Sequence, residues 1–213
     1  VTNLDIYGRK IILPAVTHFK LMSNYRLEIF TEERSMEYFL RALLPRILPT
    51  GFELDTNCFI RPHEGKSDLK RSLSKKVKAS PHFSQPVKLL IIHDQDSNDC
   101  KVLKTNLISE CSGLKSGDFL VRIACKELEN WYLGDLESID IVYPDTQASG
   151  LSGKSKFRNP DRLNGSEEMN NLTRKFSKSH ASREIGRIIS IENNNSSSFN
   201  YFISGIAKLL APV

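Results

Sequence analysis

The chain has 213 residues, of which 39% are hydrophobic and 26% charged, a balance that supports one packed α/β domain with decorations and excludes general disorder. Lys plus Arg number 30 against 25 Asp plus Glu, a net charge of +5, which is compatible with a nucleic-acid partner without demanding one. No apolar run approaches the ~20 residues that span a bilayer, and the four cysteines contain no C-x-x-C pair, which argues against a zinc ribbon or a disulfide framework and for a reducing cytoplasm.

Residues 1–21 make a poor signal peptide. Arg9 and Lys10 precede the apolar piece IILPAV, but Pro14 interrupts it and no small-residue cleavage site follows. Met22 then opens a segment that reads as the natural beginning of an α/β domain, so residues 1–21 are expected to be a peripheral extension, with an extra N-terminal strand as the alternative. Residues 25–31 (YRLEIFT) predict a strand. Residues 35–48 predict a helix, with Met36, Phe39, Leu40, Leu43 and Leu44 on one side and Pro45 kinking or ending it. A second strand is expected over residues 52–61, a basic amphipathic helix over 67–77, and a third strand over 87–93. Ser97 is a candidate N-cap for a helix to about residue 110, and residues 119–124 (FLVRIA) predict a fourth strand. This alternation implies a mostly parallel sheet with helices on its faces over residues 22–125. Residues 126–213 read as a helical and looped elaboration packed on that core, with polar helices near 166–176 and 182–191 and a last one over 198–210 that the NNNSSS stretch caps.

In a parallel sheet the loops at the carboxyl ends of the strands gather at one edge, where ligands bind. Three predicted strand ends carry acids: Glu32 and Glu33, then Asp94 and Asp96, then Glu127 and Glu129. Asp94 and Asp96 share a side if the extended geometry persists between them. Converging carboxylates repel unless a divalent cation holds them, and an oxygen-only set favours Mg²⁺ or Mn²⁺ over zinc. The competing reading is that the acids cap separate helices and never meet. His93, beside the aspartates, is read as a structural strand-end histidine.

Strand–Glu–helix followed by strand–Asp-x-Asp resembles the Toprim domain of topoisomerases, primases and overcoming-lysogenization-defect nucleases. More closely, EIFTEERSMEYFLRALLPRIL, RPHEGKSDL, IIHDQDS, ELENWYLGD and KFRNPDRLN resemble a bacterial domain-of-unknown-function family with a Toprim-like core, often encoded beside ATPase genes in restriction or phage-defence loci. The resemblance implies a Rossmann-like Toprim fold and Mg²⁺-dependent nuclease chemistry on DNA or RNA phosphodiesters. It makes Asp94 and Asp96 metal ligands, Glu32 a general base or further ligand, and an ATPase the partner protein. Glu127 or Glu129 would add an outer or second-metal acid. Glu33 departs from the Toprim pattern, which often places Gly there.

The basic residues divide into two groups. Arg61, His63 and Lys66 follow the second strand and lead into Lys70, Lys75 and Lys76 on the basic helix. The P-loop spacing is absent, but Gly65 permits a turn at which Lys66 could meet a phosphate, and the helix could track a nucleic-acid backbone. Lys156 and Arg158, near the Asn159-Pro160 turn, form a second candidate phosphate contact. Solvated surface is the alternative for both groups. Two other functions compete: a non-catalytic Toprim-like subunit that binds nucleic acid or regulates a partner, and a haloacid-dehalogenase-like phosphatase, which also uses strand–Asp-x-Asp. The phosphatase normally carries that motif on its first strand, whereas two strand–helix units precede it here. A homodimer is compatible with the sequence.

Overall fold

A computed structural model describes residues 23–211; the N-terminal extension read from residues 1–21 lies outside them. The described residues build a four-stranded, all-parallel sheet of order β2-β1-β3-β4, from β1 (Arg26–Thr31), β2 (Cys58–Pro62), β3 (Val87–Asp94) and β4 (Phe119–Ala124). The α/β fold expected from the alternation is therefore present. β3 is buried at all eight positions, because it is central and helices cover both of its faces. The continuous run Leu89–Ile92 suits that environment.

Alternation along the strands splits the core in two. Leu27, Ile29, Leu90 and Ile92 face α1 (Arg34–Ile47), together with the later helices α4 (Glu129–Tyr132), α5 (Leu136–Val142), α7 (Lys178–Ile188) and α8 (Ser197–Leu209). Phe30, Leu89, Ile91, Val121 and Ile123 face α2 (Lys66–Ala79) and α3 (Cys100–Glu110). The largest side chains, Trp131, Tyr132, Phe39, Phe199 and Phe202, lie fully buried in the first cluster. Trp131 and Phe202 stack with centroids 5.1 Å apart, and Trp131 Nε1 donates to Ser198 Oγ at 2.8 Å, which satisfies the indole deep in the core. A short helix α6 (Gly165–Leu172) precedes α7. Among the described residues no helix is long and apolar enough to cross a membrane.

The boundaries shift where turn chemistry overrides periodicity. Residues 52–57 are not strand. Asp55 adopts φ 60°, and the Asn57 side chain closes the turn, accepting from Glu53 N and donating to Gly51 O, each at 2.8 Å. The N-cap of α3 is Asp99, not Ser97; its carboxylate accepts from Lys101 N and Val102 N. α1 carries Pro45 in its last turn and ends two residues later. α7 begins at Lys178, four residues before the expected start, because Ser177 caps it.

α1 and α7 lie side by side with the same polarity. Arg46, in the last turn of α1, donates to the carbonyls of Gly186 and Ile189 near the end of α7. Arg183 lies over the Tyr38 ring at 3.9 Å. At Gly186 the helices touch: a Cβ there would lie 2.7 Å from the Phe39 carbonyl oxygen and 2.9 Å from Ala42 Cβ. Gly186→Val should therefore destabilise the protein by about 1–3 kcal/mol through overpacking, read as a lower midpoint in thermal unfolding.

Candidate functional site

Register brings the acids together. Thr31 pairs with Ile92, so the next residues, Glu32 and Glu33, run beside His93 and Asp94. On the other side Asp94 pairs with Ala124. Two further backbone bonds, Gln95 N to Ala124 O and Asp96 N to Lys126 O, extend the junction into the turn that carries Glu127 and Glu129. The three acid-bearing strand ends thus share the carboxyl edge of the sheet, and α1, α2 and α7 begin there as well. Helix N-termini offset part of the negative charge.

Asp94 is the centre of this arrangement. It is 7% exposed, and its Oδ1 is buried without a hydrogen-bond partner. Burial pushes its carboxyl well above the ordinary range, and Glu129, Glu33, Glu32 and Asp96 push it further. Glu32 Oε2 is likewise buried without a hydrogen-bond partner. His93 Nδ1 approaches it at 2.9 Å but also lies 2.6 Å from the Asp94 carbonyl oxygen. A single Nδ1–H directed at that carbonyl leaves Glu32 Oε2 unserved. Each orphaned acceptor costs about 1–3 kcal/mol.

Glu129, only 2% exposed, adds a further buried acid. Burial raises its pKa, Lys178 opposes that from 3.5 Å, and Glu127 and Glu33 reinforce it. Burial disfavours the Lys178 ammonium, but Glu129, Glu33, Glu127 and Asp94 outweigh it and raise its pKa. Lys178 is thus the cation that faces the acids from the C-terminal helices. Glu127 is occupied elsewhere: its Oε2 accepts from Ser166 N and Ser166 Oγ at the start of α6.

Asp96 does not share the side of Asp94. The strand stops at Asp94, and Asp96 takes φ 50°, so the period-two alternation ends. Asp96 turns outward, 43% exposed, and pairs with Lys66 Nζ at 2.7 Å. Gly65, with φ 95°, makes the turn expected of it, and its N–H donates to the Glu32 carbonyl at 3.1 Å. Among the described residues no three His, Cys, Asp or Glu side chains already surround one point as metal ligands. The donor set nevertheless suits Mg²⁺, which keeps several waters and needs only one or two carboxylates. Asp94 Oδ1 and Glu32 Oε2 would hold it, with Glu129 and Asp96 within the same edge.

Several basic residues are engaged within the protein rather than displayed. Glu28, mid-strand in β1 and fully buried, receives Arg26 at 2.6 Å, Arg61 at 3.0 Å and Lys76 at 3.0 Å. Arg61 and Lys76, expected to meet phosphate, pair with this carboxylate. His63 is buried: its Nδ1–H donates to the Thr31 carbonyl at 2.9 Å and its ring stacks on Phe30. Lys70 pairs with Glu110 at 3.1 Å and Lys156 with Glu168 at 2.7 Å, both at the surface. Lys75 and Arg158 are exposed. A cavity of about 390 Å³ joins Phe30, Arg61, His63, Lys75 and Lys76. Sequence reasoning left out Glu28 and Lys178. A lone charge within an apolar strand signals a need for cations; nothing ties Lys178 to strands more than eighty residues before it.

Residues 31–207 match the family described as Domain of unknown function (DUF4276). The chain belongs to that family. The DUF4276 match takes in Glu32, Asp94, Glu129 and Lys178, so the acidic edge and the helix that counters it both fall within it. No curated protein and no solved structure matches the chain.

Burial alone would raise the Glu28 pKa, but Arg61, Lys76 and Arg26 outweigh it and hold it below the ordinary value. A depressed carboxylate contributes stability that is present above its unfolded pKa and is lost as pH falls through the folded one. Glu28→Gln should therefore cost about 3–5 kcal/mol near neutral pH, because three cations lose their partner. The gap between parent and variant should narrow in unfolding experiments at progressively lower pH through the acidic range.

Proposed function

We propose that this DUF4276 chain is a Mg²⁺-dependent nuclease of Toprim-like type, acting on nucleic-acid phosphodiesters. The observation that carries the reading is the pair of orphaned buried oxygens, Asp94 Oδ1 and Glu32 Oε2, contributed by adjacent strand ends. A carboxylate pair desolvated without partners stores an unfavourable free energy that a divalent ion relieves. The resemblance of strand–Glu and strand–Asp-x-Asp to Toprim proteins supports the same roles.

A bound Mg²⁺ would clamp phosphate oxygens and supply an activated water. Asp94 and Glu32 would hold the ion directly or through water, and Glu129 would add to the negative field of the site. Lys66 and Lys178 border the site from opposite faces of the sheet and are the cations a phosphate would meet. Asp96 would join the site by releasing Lys66, which would then be free for the incoming phosphate. The motif resemblance extends the proposal to a cytoplasmic phage-defence effector that works with an ATPase partner.

Asp94→Asn tests this reading. The amide fills the same space and removes one of the repelling charges, so metal-free protein should melt higher, by roughly 2–4 °C for each kcal/mol of repulsion relieved. The Mg²⁺-induced rise in melting temperature expected of the parent should shrink in the variant. Cleavage, assayed with the ATPase partner present, should fall by orders of magnitude. A fully active variant, or a parent whose melting ignores Mg²⁺, would remove the catalytic reading and leave a nucleic-acid-binding or regulatory subunit.

A further inference from the structure

A second concave site lies away from the acidic cluster. A cavity of about 380 Å³ opens between the start of α3, the edge strand β4 and the first turns of α8. That volume suits a small organic ligand. Cys100, Ile123 and Cys125 give it an apolar floor, Lys104 and Arg122 bring two positive charges, and Tyr201 stands at its rim with 69% of its surface exposed.

Arg122 is held in place by the backbone alone. Its Nε donates to the Tyr201 carbonyl at 2.8 Å and its Nη1 to the Val121 carbonyl at 3.1 Å. Among the described residues Nη2 makes no hydrogen bond and no carboxylate forms a salt bridge with the guanidinium. The group fits because position 205 is glycine: a Cβ there would lie 2.3 Å from Nη2 and 2.7 Å from Cζ. The nearest acid in the cavity, Asp161, is already satisfied. Its Oδ1 accepts from Ser196 Oγ at 2.6 Å and Ser198 Oγ at 3.1 Å, and its Oδ2 from Ser198 N at 2.8 Å. Burial lowers the Arg122 pKa and no acidic group opposes it. An always-charged guanidinium positioned by carbonyls, with a donor face left over, is an anion-binding device.

We propose that this cavity binds a nucleoside monophosphate group, with the phosphate on Arg122 and Lys104 and the base against Tyr201 and the apolar floor. The phosphate matches the two cations and the planar base matches an exposed ring above an apolar surface. The group can be a free nucleotide or the phosphorylated terminus of a strand.

Calorimetric titration with adenosine 5′-monophosphate, inorganic phosphate, and one oligonucleotide with and without a 5′-phosphate tests the site. The parent should bind the mononucleotide more tightly than inorganic phosphate. Arg122→Met should weaken binding by about tenfold or more, the loss expected for charge-assisted hydrogen bonds. Gly205→Ala should do the same by displacing the guanidinium while leaving Arg122 in the chain, and alanine favours the helix, so a folded variant is expected. Tyr201→Ala should remove the preference for mononucleotide over phosphate. Tighter binding of the 5′-phosphorylated oligonucleotide than of free nucleotide assigns the ligand to a strand terminus, and the reverse order assigns it to the free nucleotide. All titrations are run in EDTA and repeated in Asp94→Asn, where binding should persist, so this result does not depend on the acidic edge. The proposal is overturned if none of the probes binds the parent, or if folded Arg122→Met and Gly205→Ala bind as the parent does.

Discussion

A carboxylate at the end of a fully buried strand is the constraint around which the molecule is arranged. β3 lies buried between two layers of helices with Leu89–Ile92 as its apolar centre, and its last residue is Asp94, whose Oδ1 finds no donor. Parallel pairing with β1 then brings Glu32 and Glu33 alongside, and the turn after β4 brings Glu129. The topology leaves little choice in this. Strands that all run one way release their chains at one edge, and the helices that follow begin at that edge. Acids at successive strand ends are therefore neighbours, with helix N-termini partly meeting their charge.

Two buried acids on the same sheet are handled in opposite ways. Glu28 lies on the α2 face with three cations around one carboxylate, which holds it ionised and rigid. Asp94 lies among acids with Lys178 as a distant counterweight, which disfavours its ionised form. The first is a structural anchor that ties β1, β2 and α2 together. The second is an unfinished electrostatic balance at the edge where open parallel sheets as a class bind ligands, and perturbed groups of that kind concentrate at functional sites.

Much of this was legible in the sequence because period-two and period-3.6 patterns report burial directly. The strand at 87–93, the helix at 35–48 and the capped terminal helix follow from those patterns alone. What was not legible depended on single backbone angles or on long-range packing. The φ values of Asp55 and Asp96 ended two extended segments that composition would have continued, and the second turned Asp96 away from Asp94. Arg61 and Lys76 read as candidate phosphate contacts because nothing local shows that Glu28 waits for them across the sheet. Lys178 reaches the site only because α7 packs along α1, a pairing of segments well over a hundred residues apart.

That pairing has a mechanical meaning. α7 carries Lys178 at its first position and Gly186 about 12 Å further along its axis, where it presses against Phe39 and Ala42 of α1. α1 in turn starts immediately after Glu33, one of the acids that Lys178 counters. The two helices form a rigid beam with its pinned end at Arg46 and its charged end at the acidic edge. The spacing between ammonium and carboxylates is therefore set by side-chain volume at a remote contact rather than by residues in the site. Wedging the beam apart at its middle would retune the electrostatics of the edge without altering a single charged group.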